Sequence, residues 1–104
     1  QKSKNSLLLG NKMSIDHYKL TIRGRVQGVF FRASTQKMAN KLAISGTVKN
    51  TAAGDVEIIA IGEHQAMQKF IQWCHKGSLP AKVEEVIIEP LVDSVEHTGF
   101  MINH

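Results

Sequence analysis

The sequence predicts an α+β domain in which one antiparallel sheet carries two helices on the same face. Its 104 residues suffice for a single domain and leave no room for a second. Two segments have helical periodicity, and segments with strand character precede and follow each of them, in the order βαββαβ. Two β-α-β halves of this length pack most simply as a ferredoxin-like sandwich.

The first half contains a strand and a helix joined by a short glycine-containing loop. A strand is predicted over residues 17–23, where Tyr18, Leu20 and Ile22 alternate onto one face. A helix is predicted over residues 31–42 because its apolar and small residues recur at helical spacing: Phe31, Thr35, Met38, Ala39 and Leu42.

The second half begins with a hairpin. A strand ending at Asn50, turn residues 51–55 and a β-branched strand over residues 56–61 predict two antiparallel neighbours. A second amphipathic helix is predicted over residues 63–76. A fourth strand follows over residues 81–89, closed by Pro90, and a short terminal strand is expected near Phe100.

The domain is predicted to span residues 17–104, with residues 1–16 as an N-terminal extension in which Met13 is a candidate natural start. The apolar run at residues 7–9 is too short for a signal-peptide core or a membrane span, so we expect no membrane association.

One cysteine, Cys74, excludes an internal disulfide and fits a cytoplasmic location. Its place on an apolar helix face indicates a buried thiol rather than a nucleophile.

Charge is divided unevenly along the chain. Residues 17–54 contain seven Lys or Arg residues and no Asp or Glu, whereas residues 55–104 carry a net charge of −5, within an overall charge of +4. A one-sided basic field attracts small anions, and it suits nucleic acid equally well. Charge alone therefore leaves both kinds of partner open.

The strand-to-helix junction around Gly24 and Gly28 is a candidate anion site. The first backbone N–H groups of a helix lack internal partners and lie at the positive end of its dipole, so they can bind an oxyanion. Glycines allow positive φ and close approach, and Arg32 adds a planar fork suited to phosphate. A plain turn with solvated arginines is the alternative. Both common nucleotide fingerprints are absent, which favours a small anion.

Residues 24–32 (GRVQGVFFR), followed by residues 46–50 (GTVKN), resemble the signature pair of the acylphosphatase family, and the resemblance extends from about Tyr18 to Phe100. It implies the ferredoxin-like fold and hydrolysis of the carboxyl–phosphate bond of a small acyl phosphate to a carboxylate and inorganic phosphate. It implies no metal and no cofactor. Inorganic phosphate is expected as product and competitive inhibitor, and the protein is expected to be a monomer.

The resemblance also assigns roles by position. Arg32 would bind the phosphoryl oxygens, and Asn50, eighteen positions later, would orient the attacking water. Thr51 would support Asn50 by a hydrogen bond to its amide, or would cap the turn. The phosphate-binding residues would be Gly24, Arg25, Val26, Gln27, Gly28, Val29, Phe30 and Arg32. The family usually has Trp where this chain has Thr47, and a different ending from Asn103 and His104.

Two other functions fit parts of the sequence. A ferredoxin-like module could bind RNA with its basic half, but its strands offer only Tyr18 for stacking on bases. A phosphate sensor without significant catalysis would retain the loop alone. A metal site is not expected, because His64 and His75 lie roughly 16 Å apart along one predicted helix and the other histidines lack partners at ligand spacing.

Overall fold

The computed structural model describes residues 14–92 and 99–103. It confirms the predicted order of strands and helices, with the final strand present. The elements are β1 Ile15–Arg25, α1 Phe31–Lys41, β2 Ser45–Asn50, β3 Val56–Glu63, α2 His64–Lys76, β4 Lys82–Pro90 and β5 Phe100–Ile102.

The five strands form one sheet in the order β4-β1-β3-β2-β5. The first four pair antiparallel, as a ferredoxin-like βαββαβ unit requires. β5 instead pairs parallel to the outer edge of β2, with Gly46 opposite Phe100. The sheet is therefore mixed, and β5 satisfies backbone groups that β2 would otherwise leave unpaired at an edge.

Alternate side chains of the strands face the helices and form the core. Val56, Ile58 and Ala60 of β3 are fully buried, and the side chains between them lie on the other face. Aromatic rings extend the core between the helices and β5: Phe31 packs on Trp73 with ring centroids 5.5 Å apart, and Phe70 packs on Phe100 at 6.2 Å. This core fixes where α1 begins relative to the sheet.

The face of the sheet without helices carries ion pairs. Basic side chains of β1 and β2 meet acidic side chains of β3, β4 and the turn before β3. The pairs are Lys19–Glu57, Lys19–Glu89, Arg23–Asp55, Arg23–Glu85 and Lys49–Glu57, with N···O distances of 3.7–3.9 Å. Each exposed pair adds little stability. They pair three of the seven basic residues of the segment 17–54 with acidic residues from the second half of the chain.

The described strands place no Phe, Tyr or Trp ring that was predicted for base stacking on this face. Tyr18 packs against the core, on the side of the sheet that carries the helices. The aromatic ring that an RNA-binding sheet would need on its open face is therefore turned inward. Nothing in the fold favours the RNA-binding alternative.

The first strand begins earlier than predicted. β1 begins at Ile15, two residues before the expected strand, and the Asp16 carboxylate lies 2.8 Å from Nδ1 of His64 at the start of α2. Residues 1–13 of the expected extension lie outside the described residues, as do His97 and His104. No helix in the described part of the chain is long and apolar enough to cross a membrane.

Candidate active site

The loop between β1 and α1 is shaped by two glycines with positive φ. Gly24 has φ +131°, and a Cβ there would clash with the carbonyl oxygen of Lys82 on the neighbouring strand. Any other residue would push β4 away at this irregular point of the pairing. Gly28 has φ +73°, a backbone conformation that favours glycine. A Cβ at this position would have no neighbouring atom of the described residues within 4 Å, so steric contact is not the reason for glycine here.

Three side chains hold this loop in place. Val26 is buried in the core. The Ser78 hydroxyl, just beyond α2, donates to the Val29 carbonyl at 2.9 Å. The Gln27 amide donates twice to the turn between β2 and β3, to the carbonyls of Thr51 at 2.9 Å and Asp55 at 2.7 Å. The loop thus has a fixed shape before any ligand binds.

The role of Gln27 was not foreseen from the sequence. The motif places Gln27 in the predicted phosphate-binding loop, and the structure adds that its side-chain amide donates to the turn between β2 and β3. A glutamine beside a glycine is compatible with either role, and no local pattern distinguishes them. Only the fold brings residues 51–55 within reach of residue 27.

α1 begins without a side-chain cap. Its N-cap residue, Phe30, has left-handed backbone angles (φ 60°, ψ 21°), and the first turn contains no acidic residue. The first bond of the helix runs from the Ser34 N–H to the Phe30 carbonyl at 3.0 Å. The N–H groups ahead of Ser34 have no partner within the helix and lie at its positive end, which is the geometry of an anion-binding site.

A cleft of about 320 Å³ lies against this helix start. It brings together five residues that the sequence predicted for the site and adds three others. The predicted ones are Val26, Gly28, Phe30, Arg32 and Asn50; the others are Phe31, Ala33 and Ile102. Gly24, Arg25, Gln27, Val29 and Thr51 are not among the described residues that line it.

Arg32 and Asn50 reach this cleft from different elements. Arg32 is the second residue of α1, and its Nη1 lies 3.4 Å from the Asn103 carbonyl oxygen just beyond β5. Asn50 ends β2, and its Oδ1 is buried with no hydrogen-bond partner among the described residues. A buried acceptor without a partner is costly to the fold and typical of a functional position.

Thr51 supports the turn. Its hydroxyl accepts a hydrogen bond from the Asp55 N–H at 3.2 Å, and its own N–H donates to the Asp55 carbonyl at 2.9 Å. Of the two roles open for Thr51, turn capping is the one that the described hydrogen bonds display.

The cleft lining contains no carboxylate, imidazole or thiol among the residues described. Cys74 is fully buried in the core, as predicted, and burial raises the pKa of its thiol far above the ordinary value. Within residues 14–92 and 99–103, no three His, Cys, Asp or Glu side chains are grouped so as to hold a metal ion. The chemistry available in this cleft is that of N–H groups, a guanidinium and an amide.

The family model for acylphosphatases matches residues 18–102. The chain belongs to the acylphosphatase family. It is 40% identical over 92 residues to an acylphosphatase of Marinobacter nauticus, an alignment that covers 88% of this chain and 100% of the relative. The resemblance seen in the two sequence motifs is thereby confirmed.

Solved acylphosphatase structures have the same fold. The Bacillus subtilis enzyme superposes with a TM-score of 0.83 at 35% identity, covering 88% of this chain and 100% of that one. The Coxiella burnetii enzyme superposes with a TM-score of 0.82 at 34% identity, covering 89% and 97%. This acylphosphatase is therefore a hydrolase acting on acyl phosphates, with a ferredoxin-like α+β fold.

Proposed function

We propose that the cleft between α1, β2 and β5 hydrolyses a small acyl phosphate, with Arg32 and the loop from Gly24 to Phe30 binding the phosphoryl group and Asn50 orienting the attacking water. The observation that carries this proposal is the meeting of Arg32 and Asn50 on one cleft at the uncapped start of α1. Family membership gives the reaction; the geometry supports the division of roles.

The phosphoryl group is assigned to the end of the cleft where N–H groups and Arg32 converge. The uncapped helix start offers several N–H donors at the positive end of the helix dipole. A guanidinium can bind two phosphoryl oxygens at once, and its hydrogen bonds to anions are stronger than those between neutral groups. Contact with the Asn103 carbonyl restrains the arginine, which lowers the entropy lost on binding.

Asn50 is assigned to the water. A side-chain amide can accept one hydrogen bond through its oxygen and donate another through its N–H group. It can therefore orient a water molecule without removing a proton from it. The turn that follows Asn50 is tied to the loop by Gln27. The amide is thereby held at a set distance from the bound phosphoryl group, as positioning catalysis requires.

The reaction needs little acid catalysis. Water attacks phosphorus, the bond between phosphorus and the acyl oxygen breaks, and the electron pair leaves on a carboxylate, which is already a good leaving group. The proton of the water passes to an oxygen of the phosphoryl group, giving inorganic phosphate. What the protein supplies is positioning and stabilisation of charge on the transferred group.

Several further properties follow from this assignment. Inorganic phosphate occupies the same N–H groups as the substrate phosphoryl group and so inhibits competitively. The proposed contacts involve no metal ion. A free, buried cysteine fits a cytoplasmic enzyme, and the proposed site is built from one chain, which suits a monomer.

The assigned roles are tested by substituting each residue separately. Arg32→Ala is expected to weaken inhibition by inorganic phosphate and remove most turnover, and Arg32→Lys to restore little because a point charge lacks the fork. Asn50→Ala is expected to lower kcat strongly while the inhibition constant of phosphate changes little. An Asn50→Ala enzyme with raised KM and normal kcat would make Asn50 a binding group and overturn the water assignment.

A further inference from the structure

The side chain of Phe30 is unusually exposed for a large aromatic group beside a core. Its relative exposure is 80%, whereas the adjacent Phe31 is fully buried against α2. The described aromatic pairs connect Phe31, Phe70, Trp73 and Phe100, and leave the ring of Phe30 outside the aromatic cluster. Packing therefore does not account for an aromatic residue at this position.

The backbone of Phe30 does not account for it either. Left-handed angles are adopted readily by Gly and Asn and unfavourably by other residues. The N-cap position of a helix favours Ser, Thr, Asp or Asn, whose side chains can bond the first N–H groups. A residue that violates local preferences in three ways is the kind of departure that concentrates at functional sites.

The cleft is divided between polar and apolar groups. Arg32 and Asn50 supply the polar part, and the apolar lining comes from the loop, the first helical residues and β5. Val26 and Phe31 are almost completely buried and present little surface to a ligand. Phe30, Ala33 and Ile102 therefore provide the apolar surface that a substrate can reach, and Phe30 and Ile102 are the two large side chains among them.

An acyl phosphate also has a polar part and a part that can be apolar. One end is an anionic phosphoryl group, and the other is an organic acyl group whose apolar area depends on its size. We propose that Phe30, with Ile102, forms an acyl subsite that favours substrates with aromatic or other large apolar acyl groups over those with a small acyl group such as acetyl. This inference rests on the proposed function, because it takes the phosphoryl position as given.

The test compares two substrates that differ only in the acyl group, benzoyl phosphate and acetyl phosphate. Phe30→Leu and Phe30→Ala keep the left-handed backbone strain and reduce side-chain area stepwise. Covering about 50 Å² of apolar surface corresponds to about tenfold in kcat/KM, so Phe30→Ala should lose about tenfold on benzoyl phosphate, mainly through KM. Phe30→Leu should lie in between. Because Phe30 belongs to the phosphate-binding loop, any effect of either variant on phosphoryl binding is common to both substrates and is measured separately by the inhibition constant of inorganic phosphate.

The selectivity, defined as kcat/KM on benzoyl phosphate divided by kcat/KM on acetyl phosphate, should therefore fall about tenfold in Phe30→Ala, since a methyl group covers little of the ring. Ile15→Ala is the matched control: Ile15 is 57% exposed, lies at the start of β1 and does not line this cleft. It should alter neither substrate's kinetics. Because Phe30 is exposed, its variants are expected to fold.

Equal losses on both substrates in Phe30→Ala would overturn the subsite, since the ring would then act on the loop or the chemistry. Unchanged kinetics on benzoyl phosphate would overturn it as well. A wild-type protein inactive on both substrates would instead overturn the proposed function of the cleft, and the acyl subsite with it. A selective loss on benzoyl phosphate, graded from Leu to Ala, supports the proposal.

Discussion

Gln27 provides the sharpest test of how the site is held together. Gln27→Met keeps the length of the side chain and removes both amide donors, which bond the carbonyls of Thr51 and Asp55 at 2.9 and 2.7 Å. A typical hydrogen bond contributes about 1 kcal/mol net, so the variant should lose about 2 kcal/mol of unfolding free energy. Chemical denaturation measures this loss.

The larger effect is expected on turnover. Thr51 directly follows Asn50, so a turn released from Gln27 allows the Asn50 amide to shift relative to the loop. Misplacement of a catalytic group by about 1 Å can cost roughly a hundredfold in rate. We therefore expect kcat to fall by about ten- to a hundredfold, with little change in the inhibition constant of inorganic phosphate. Steady-state hydrolysis of an acyl phosphate measures both.

Two companion variants separate positioning from general destabilisation. Gln36→Met removes a comparable bond, from the Gln36 amide to the Phe100 carbonyl at 2.9 Å, and should cost about 1 kcal/mol of stability with kcat within about twofold. The double variant Asn50→Ala/Gln27→Met should have nearly the same kcat as Asn50→Ala alone. Gln27 is proposed to act by positioning the Asn50 side chain, and Asn50→Ala has already removed that side chain.

The reasoning is refuted if Gln27→Met slows the Asn50→Ala enzyme as much as it slows the wild type. It is equally refuted if Gln27→Met raises KM and the phosphate inhibition constant together while kcat is unchanged. In that case the Gln27 side chain binds the phosphoryl group directly.

Three further predictions concern the loop, metals and the core thiol. Gly28→Val should weaken competitive inhibition by inorganic phosphate severely, because a β-branched residue resists φ +73°; unchanged inhibition would place phosphate outside the loop. Hydrolysis should be indifferent to chelators, and activity that a divalent ion restores after chelation would contradict the proposed contacts. Cys74→Ala should cost about 1–2 kcal/mol of stability with turnover within about twofold. Burial raises the pKa of the Cys74 thiol above its ordinary 9.0, so the folded chain keeps a proton that the unfolded chain releases. Above pH 9 the wild type should thus lose about 1.4 kcal/mol per pH unit relative to Cys74→Ala in denaturation experiments, and parallel pH profiles would contradict this.

The order of strands and helices was predictable because each element carries its own periodicity. The fully buried, alternating residues of β3 and the helical spacing from Phe31 to Leu42 are local signals, and the structure follows them. The start of β1 was missed because its first residues are exposed or half-buried and do not alternate. The parallel pairing of β5 was missed because three residues are too few to show a period, and their partner is distant in sequence.

The candidate site likewise has features that the sequence predicted and features that it did not. The glycine loop, Arg32 and Asn50 lie in motifs whose amino-acid sequence could be compared with the signature motifs of a known family. The contribution of Ile102 and the bonds made by Gln27, Ser78 and Asn103 depend on contacts between elements far apart in sequence. No local pattern reports such contacts, so only the folded structure reveals which residues hold the motif residues in position.

The contact between Arg32 and Asn103 spans 71 residues, and this separation bears on synthesis of the protein. The loop, α1 and Asn50 are all made early, so a nascent chain contains both signature motifs long before residues 100–103 exist. Until those residues leave the ribosome, Arg32 lacks its contact with Asn103 and the cleft lacks Ile102. Folding that depends on such distant pairings is comparatively slow. Turnover of acyl phosphate should therefore begin only after residue 103 has been translated and β5 has paired with β2.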